Sequence, residues 1–85
     1  MKTFQYVITD HEGIHARPAG LLVKEAGKYQ SSITLKKGEK TGDAKRIFAV
    51  MGLAAKQNDE LTVVCEGPDE EVAAEELEKF FKENL

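Results

Sequence analysis

With 85 residues, 41% hydrophobic and 32% charged, the chain has the composition of one ordinary soluble globular domain spanning 1–85. Its net charge of −3 argues against a non-specific nucleic-acid binder, which would carry a basic excess or stripe. A single cysteine, Cys65, allows no internal disulfide and fits a reducing compartment. No charged n-region precedes an apolar one, and no apolar run nears the roughly 20 residues of a membrane span. A cytoplasmic protein without membrane insertion is expected.

No internal repeat, low-complexity run or linker interrupts the chain. KTFQYVIT, residues 2–9, alternates as a strand, with Phe4, Tyr6 and Ile8 on one face. DHEGIH, 10–15, is a loop broken by Gly13. A helix is predicted from about Ala16 to Gly27 or Lys28, where Ala19, Leu22, Val23 and Ala26 form one buried stripe and Leu21 lies off it. Gly27 is its C-terminal signal, with Lys24 and Lys28 near the negative end. SSITLKK, 31–37, alternates with Ile33 and Leu35 inward, and Gly38-Glu39 turns it into a short strand at about 40–43. RIFAVMGLA, 46–54, reads as a short helix ending near Gly52 or Leu53. ELTVVCEG, 60–67, is a strand with Leu61, Val63 and Cys65 on one face. A last helix opens at Gly67, Pro68 and Asp69, with acids where the helix dipole favours them. Its inner face is Val72 or Ala73, Leu77, Phe80 and Phe81. The order β-α-β-β-α-β-α gives a two-layer α+β domain.

The start of the first helix breaks a local rule. In GIHARPAGLL, 13–22, Pro18 suits a first turn because that turn has no intrahelical use for its N–H. The position before the first turn falls on Ala16, which cannot cap; a capping residue replaced by Ala typically costs about 1 kcal/mol. Several main-chain N–H groups therefore lack a side-chain partner. Water satisfies them, or an anion does, because a helix N-terminus is an anion site. His15 stands in front of that site and Arg17 beside it. Neutral imidazole is plentiful near neutral pH and nucleophilic. A phosphoryl group attached to it would bring about −2 of charge, for Arg17 and the open amides to receive at the helix start formed by Ala16, Arg17 and Pro18. A histidine ahead of a helix is also a common polar loop residue, and the residues alone leave both readings open.

GIHARPAGLLVKEA and AKRIFAVMGLA, at their spacing in a β-α-β-β-α-β-α chain of this length, resemble the histidine-containing phosphocarrier (HPr) family of the bacterial phosphoenolpyruvate-dependent sugar phosphotransferase system. The likeness covers essentially the whole chain. It implies an open-faced β-sandwich, a four-stranded antiparallel sheet with three helices on one face. It implies that enzyme I passes a phosphoryl group to Nδ1 of His15, that Arg17 steadies it, and that phosphohistidine passes it to enzyme IIA domains of sugar permeases. The protein would then be a carrier without turnover of its own, needing no cofactor. Many Gram-positive members have, at the position matching Arg46, a serine phosphorylated by a dedicated kinase. Residues 43–52, DAKRIFAVMG, contain no Ser or Thr, so that switch is expected to be absent. Glu12 puts a carboxylate near the site and is expected to face solvent.

The family docks partners through the first helix and the short second one. Leu21, Ile47, Phe48 and Met51 are the corresponding apolar patch, although Ile47, Val50 and Ala54 at i, i+3 and i+7 equally suit a core. Lys24, Lys28 and Lys45 would form a basic rim that steers acidic partners. His11 and His15 lack a third ligand, so no metal is expected. Cys65 reads as a core residue, and DEEVAAEE, 69–76, as the solvated face of the last helix. Nothing in the sequence supports a stable oligomer, and a monomer is expected. Competing readings are a paralogous carrier in a nitrogen-regulatory or dihydroxyacetone relay, and a binding module on the same fold. A small RNA-binding domain ranks last, because stacking aromatics in a basic setting are missing.

Overall fold

The computed structural model describes residues 1–85. Its elements are β1 (Lys2–Val7), α1 (Ala16–Ala26), β2 (Ser32–Lys37), β3 (Lys40–Asp43), α2 (Ile47–Gly52), β4 (Glu60–Glu66) and α3 (Glu70–Asn84). The four strands form one antiparallel sheet in the order β1-β4-β2-β3. The period-2 patterning fixes its register: Phe4 lies opposite Val63, which lies opposite Leu35. All three belong to one layer of inward side chains, because a one-residue slip would turn each strand inside out. The β2–β3 hairpin turns at Gly38 with φ +60°, a backbone state glycine adopts freely and one that suits hairpin twist.

The helices cover one face of this sheet. Ile33, Leu35, Leu61, Val63 and Cys65 from the strands meet Leu22 of α1, Val50 of α2 and Leu77 and Phe81 of α3 in one continuous core. Phe81 anchors it, with edge-on aromatic contacts to Phe4 at 5.9 Å and Tyr6 at 5.5 Å. Fully burying a side chain of this size contributes about 1.5–3 kcal/mol. The opposite sheet face, with Thr3, Gln5 and Val7 exposed, carries no helix.

One open choice is settled and two expectations are corrected. On α3 the buried residue of the Val72/Ala73 pair is Ala73, while Val72 is exposed and Phe80, half-buried, packs against the core. Helix α1 stops at Ala26, and Gly27 ends it in right-handed geometry, its N–H donating to Val23 O at 3.0 Å. The second correction concerns DEEVAAEE, which is not simply a solvated face. Asp69 accepts hydrogen bonds from Gln30 N, Ser31 N and Ser31 Oγ, and Glu70 Oε1 accepts one from Gly67 N. These bonds hold the Asp69 carboxyl below the usual carboxylate range, the Ser31 hydroxyl most of all.

Candidate functional site

The loop before α1 is built from its backbone outward. Gly13 takes φ +69°, and a Cβ there would lie 2.8 Å from Lys56 Cα, so only glycine fits. Its tight approach to the 55–56 segment lets Ile14 N donate to Ala55 O at 3.0 Å, with Ile14 buried. Asp10 turns the preceding loop, its Oδ1 accepting from Glu12 N at 2.8 Å. Glu12 itself is exposed.

His15 follows in an extended conformation, φ −96° and ψ −174°, and is the N-cap of α1. The position before the first turn is therefore His15 and not Ala16, which is already helical. His15 O accepts the first helical bond, from Ala19 N at 3.0 Å, but the imidazole makes no capping bond. It stands where a Ser or Asp cap would stand. The unpartnered donors are fewer than the sequence suggested. Pro18 has no N–H, Ala19 is already bonded, and the amides of Ala16 and Arg17 remain without an acceptor in the protein. The first turn holds no acidic residue, and Arg17 adds a cation where the helix dipole is already positive.

A cleft of about 180 Å³ opens at this point. His15, Arg17, Pro18 and Leu21 line one wall; Asp10, Glu83 and Asn84 line the other. Sequence reasoning missed the second wall. Its cause is a tie between distant segments, in which Leu85 O accepts from Thr9 N at 2.6 Å, Asp10 N at 2.8 Å and Thr9 Oγ1 at 2.9 Å.

A family model described as the PTS HPr component phosphorylation site matches residues 2–83. The chain belongs to the HPr family. It is 45% identical over 83 residues to phosphocarrier protein HPr of Lysinibacillus sphaericus, covering 98% of this chain and 94% of that protein. Among solved structures it is similar to HPr of Thermoanaerobacter tengcongensis, at a TM-score of 0.92 and 36% identity, covering 96% of this chain and 92% of that one. A dimer of HPr from the same organism is similar at 0.78 and 36%, covering 98% and 95%. Relatives are thus named as phosphocarriers, and some of the similar solved structures as dimers. No helix is long and apolar enough to cross a membrane.

The apolar residues expected beside His15 separate into two kinds. Leu21, Phe48 and Met51 are 41%, 86% and 38% exposed. Ile47 is half-buried and packs against the core, with its Cδ1 3.9 Å from where a Cβ on Gly20 would stand. It joins α2 to α1 and does not itself present much surface. Its periodic partner Ala54 is exposed because α2 has already ended.

The basic rim is also smaller than expected. Lys28 pairs with Glu25 at 3.0 Å, and Lys45 Nζ donates to Tyr29 O at 2.7 Å. Lys24 is exposed and free of ion pairs, as is Arg17. Arg46 is the N-cap of α2, 81% exposed and only 3.9 Å from Asp43 at its nearest. Charge is segregated along the chain, with nine Lys/Arg and three acids in 15–56, against two Lys and ten acids in 57–85.

His11 is exposed, and no three His, Cys, Asp or Glu side chains converge. Cys65 is buried among core residues, and burial pushes its thiol up, aided by nearby Glu70 and Asp69. A thiol so placed is inert.

Proposed function

We propose that this chain carries phosphoryl groups in a sugar phosphotransferase relay. Nδ1 of His15 attacks the phosphorus held by phospho-enzyme I, and the N–P bond forms as the donor's bond to phosphorus breaks and its electron pair stays with the donor. Arg17 and the amides of Ala16 and Arg17 receive the added charge, about −2, while Pro18 shapes the turn. In the onward step the N–P bond on His15 breaks as an acceptor group of an enzyme IIA domain bonds to phosphorus, and the electron pair returns to Nδ1. Leu21, Phe48 and Met51, supported from below by Ile47 and flanked by Lys24 and Arg46, form the docking surface. Acidic partners suit that setting. The protein acts as one cytoplasmic domain and as a monomer, without metal or cofactor. With Arg46 in place of a hydroxyl residue, no serine phosphorylation regulates it there.

The observation that supports this reading best is the uncapped start of α1, with an imidazole at the cap position and two free amides behind it. Intact-mass spectrometry after incubation with enzyme I, Mg²⁺ and phosphoenolpyruvate tests it. One acid-labile phosphoryl adduct is expected on the wild type and none on His15→Ala. No adduct on the wild type, with enzyme I active on a known carrier, would point to a binding module or a relay with another donor.

A further inference from the structure

We infer that the second wall of the cleft, the C-terminal end of α3 with Glu83 and Asp10, drives the phosphoryl group off His15. This rests on the phosphocarrier reading. Two helix ends of opposite sign meet across one cleft: the positive start of α1 at His15 and Arg17, and the negative end of α3 at Glu83 and Asn84. The bonds from Thr9 and Asp10 to Leu85 O hold the two ends together.

Neither Glu83 nor Asp10 pairs with a cation. The Asn84 side-chain amide donates to Phe80 O at 3.0 Å, within its own helix. The second wall therefore offers a phosphoryl group two carboxylates and a helix C-terminus. The first wall attracts the group through Arg17 and the free amides. The second repels the phosphoryl group, and in the free form it faces the cation Arg17 and the positive start of α1, so both effects favour the free form. A carrier must release what it accepts, and a cleft of attractive groups alone would retain it.

The equilibrium can be read directly. Catalytic enzyme I exchanges the O–P bond of phosphoenolpyruvate for the N–P bond of phosphohistidine, and the imidazole N–H proton is balanced by the one that reaches the methyl group of pyruvate. At fixed phosphoenolpyruvate-to-pyruvate ratios, intact mass gives the phosphorylated fraction and hence the transfer constant. Glu83→Gln is expected to raise that constant about two- to five-fold at low salt, the range of an exposed charge pair. Glu83→Lys should raise it further, and both gains should shrink in about 0.5 M salt. Glu78→Gln, on α3 but outside the cleft, should leave it unchanged.

Equal constants for wild type and both Glu83 variants would overturn the inference and leave the carrier reading standing. So would a Glu83→Gln gain matched by Glu78→Gln, since net charge alone would then explain it. A wild type that takes no phosphoryl group would overturn both.

Discussion

Helices α1 and α3 begin in opposite ways. At α3 acids and a tertiary tie close the start: Glu70 and Glu71 fill the first turn, Glu70 Oε1 accepts from Gly67 N, and Asp69, though it makes no capping bond to its own helix, fastens the start to the turn before β2. Asp69 N in turn donates to Ser31 Oγ at 3.2 Å, so the tie is reciprocal. At α1 there is no acid, no side-chain tie to a neighbouring turn, and a cation in the first turn. The chain is rich in carboxylates, so the open start is not for want of capping side chains. The two starts also differ in setting. The closed one joins two turns; the open one faces a cleft between two helix ends. Local rules tend to be broken where function needs it, and a phosphoryl acceptor is one need that matches.

The largest effect expected from closing the open start is on function. Under the carrier reading, His15→Ser removes the nucleophilic nitrogen and supplies a cap for the free amides. Phosphoryl uptake from enzyme I should vanish, while the folded state gains about 1 kcal/mol. Urea unfolding beside intact-mass measurement reads both numbers on one sample. A variant that still takes an acid-labile phosphoryl group would place the acceptor elsewhere. A loss of stability would mean that the imidazole packs more than its geometry indicates.

Opening the closed start should do the reverse. Ser31 is fully buried, and its hydroxyl both donates to Asp69 and accepts from Asp69 N. Ser31→Ala leaves part of that set unpaired and should cost about 1–3 kcal/mol, with phosphoryl uptake unchanged. The pH dependence carries the same information. The Asp69 carboxyl is held low by Ser31 and the Gln30 amide, so its contribution is complete above the ordinary carboxylate range, near pH 4. It is lost as pH falls through the lowered folded value. The acid limb of the stability curve should therefore be shallower in Ser31→Ala. An unchanged limb would show that Ser31 does not govern this carboxyl.

These contrasts also mark what was legible in the sequence. Strand faces, the hairpin turn at Gly38, the stripe of α1 and the order of elements follow from periods of 2 and 3.6, which are local. So does the anomaly around His15, since a missing cap is visible within five residues. The register of that cap was misjudged by one position, because Pro18 fits more than one place in a first turn. The Asp69–Ser31 tie spans 38 residues, and the approach of Glu83 to His15 is longer still. Both depend on how α3 crosses the sheet, and no short motif encodes that. Ile47 and Lys45 show the same limit from the other side. Their residue types suit a docking surface, but packing of α2 on α1 half-buries Ile47, and Tyr29 O occupies Lys45.

A third helix terminus separates strain from function and gives the smallest effect. Helix α2 ends at Gly52 with Leu53 as its C-cap, and Ala54 follows with φ +52°, where helices commonly place glycine. The left-handed state costs an alanine roughly 1 kcal/mol. Ala54 is exposed, and its visible role is through its backbone: N donates to Met51 O, and O accepts from Lys37 Nζ at 3.1 Å. Glycine would keep both bonds and lose the strain, but it would also gain freedom in the unfolded chain. The balance should be a gain of about 0.5 kcal/mol, read as a higher urea midpoint at constant slope. Phosphoryl uptake should not change, since Ala54 lies outside the His15 cleft. If Ala54→Gly instead destabilises the fold, the methyl group does more than its exposure suggests. If it slows partner transfer while the fold gains stability, the strained end of α2 is tuned to the exposed apolar patch of Phe48 and Met51, and belongs with the open start of α1.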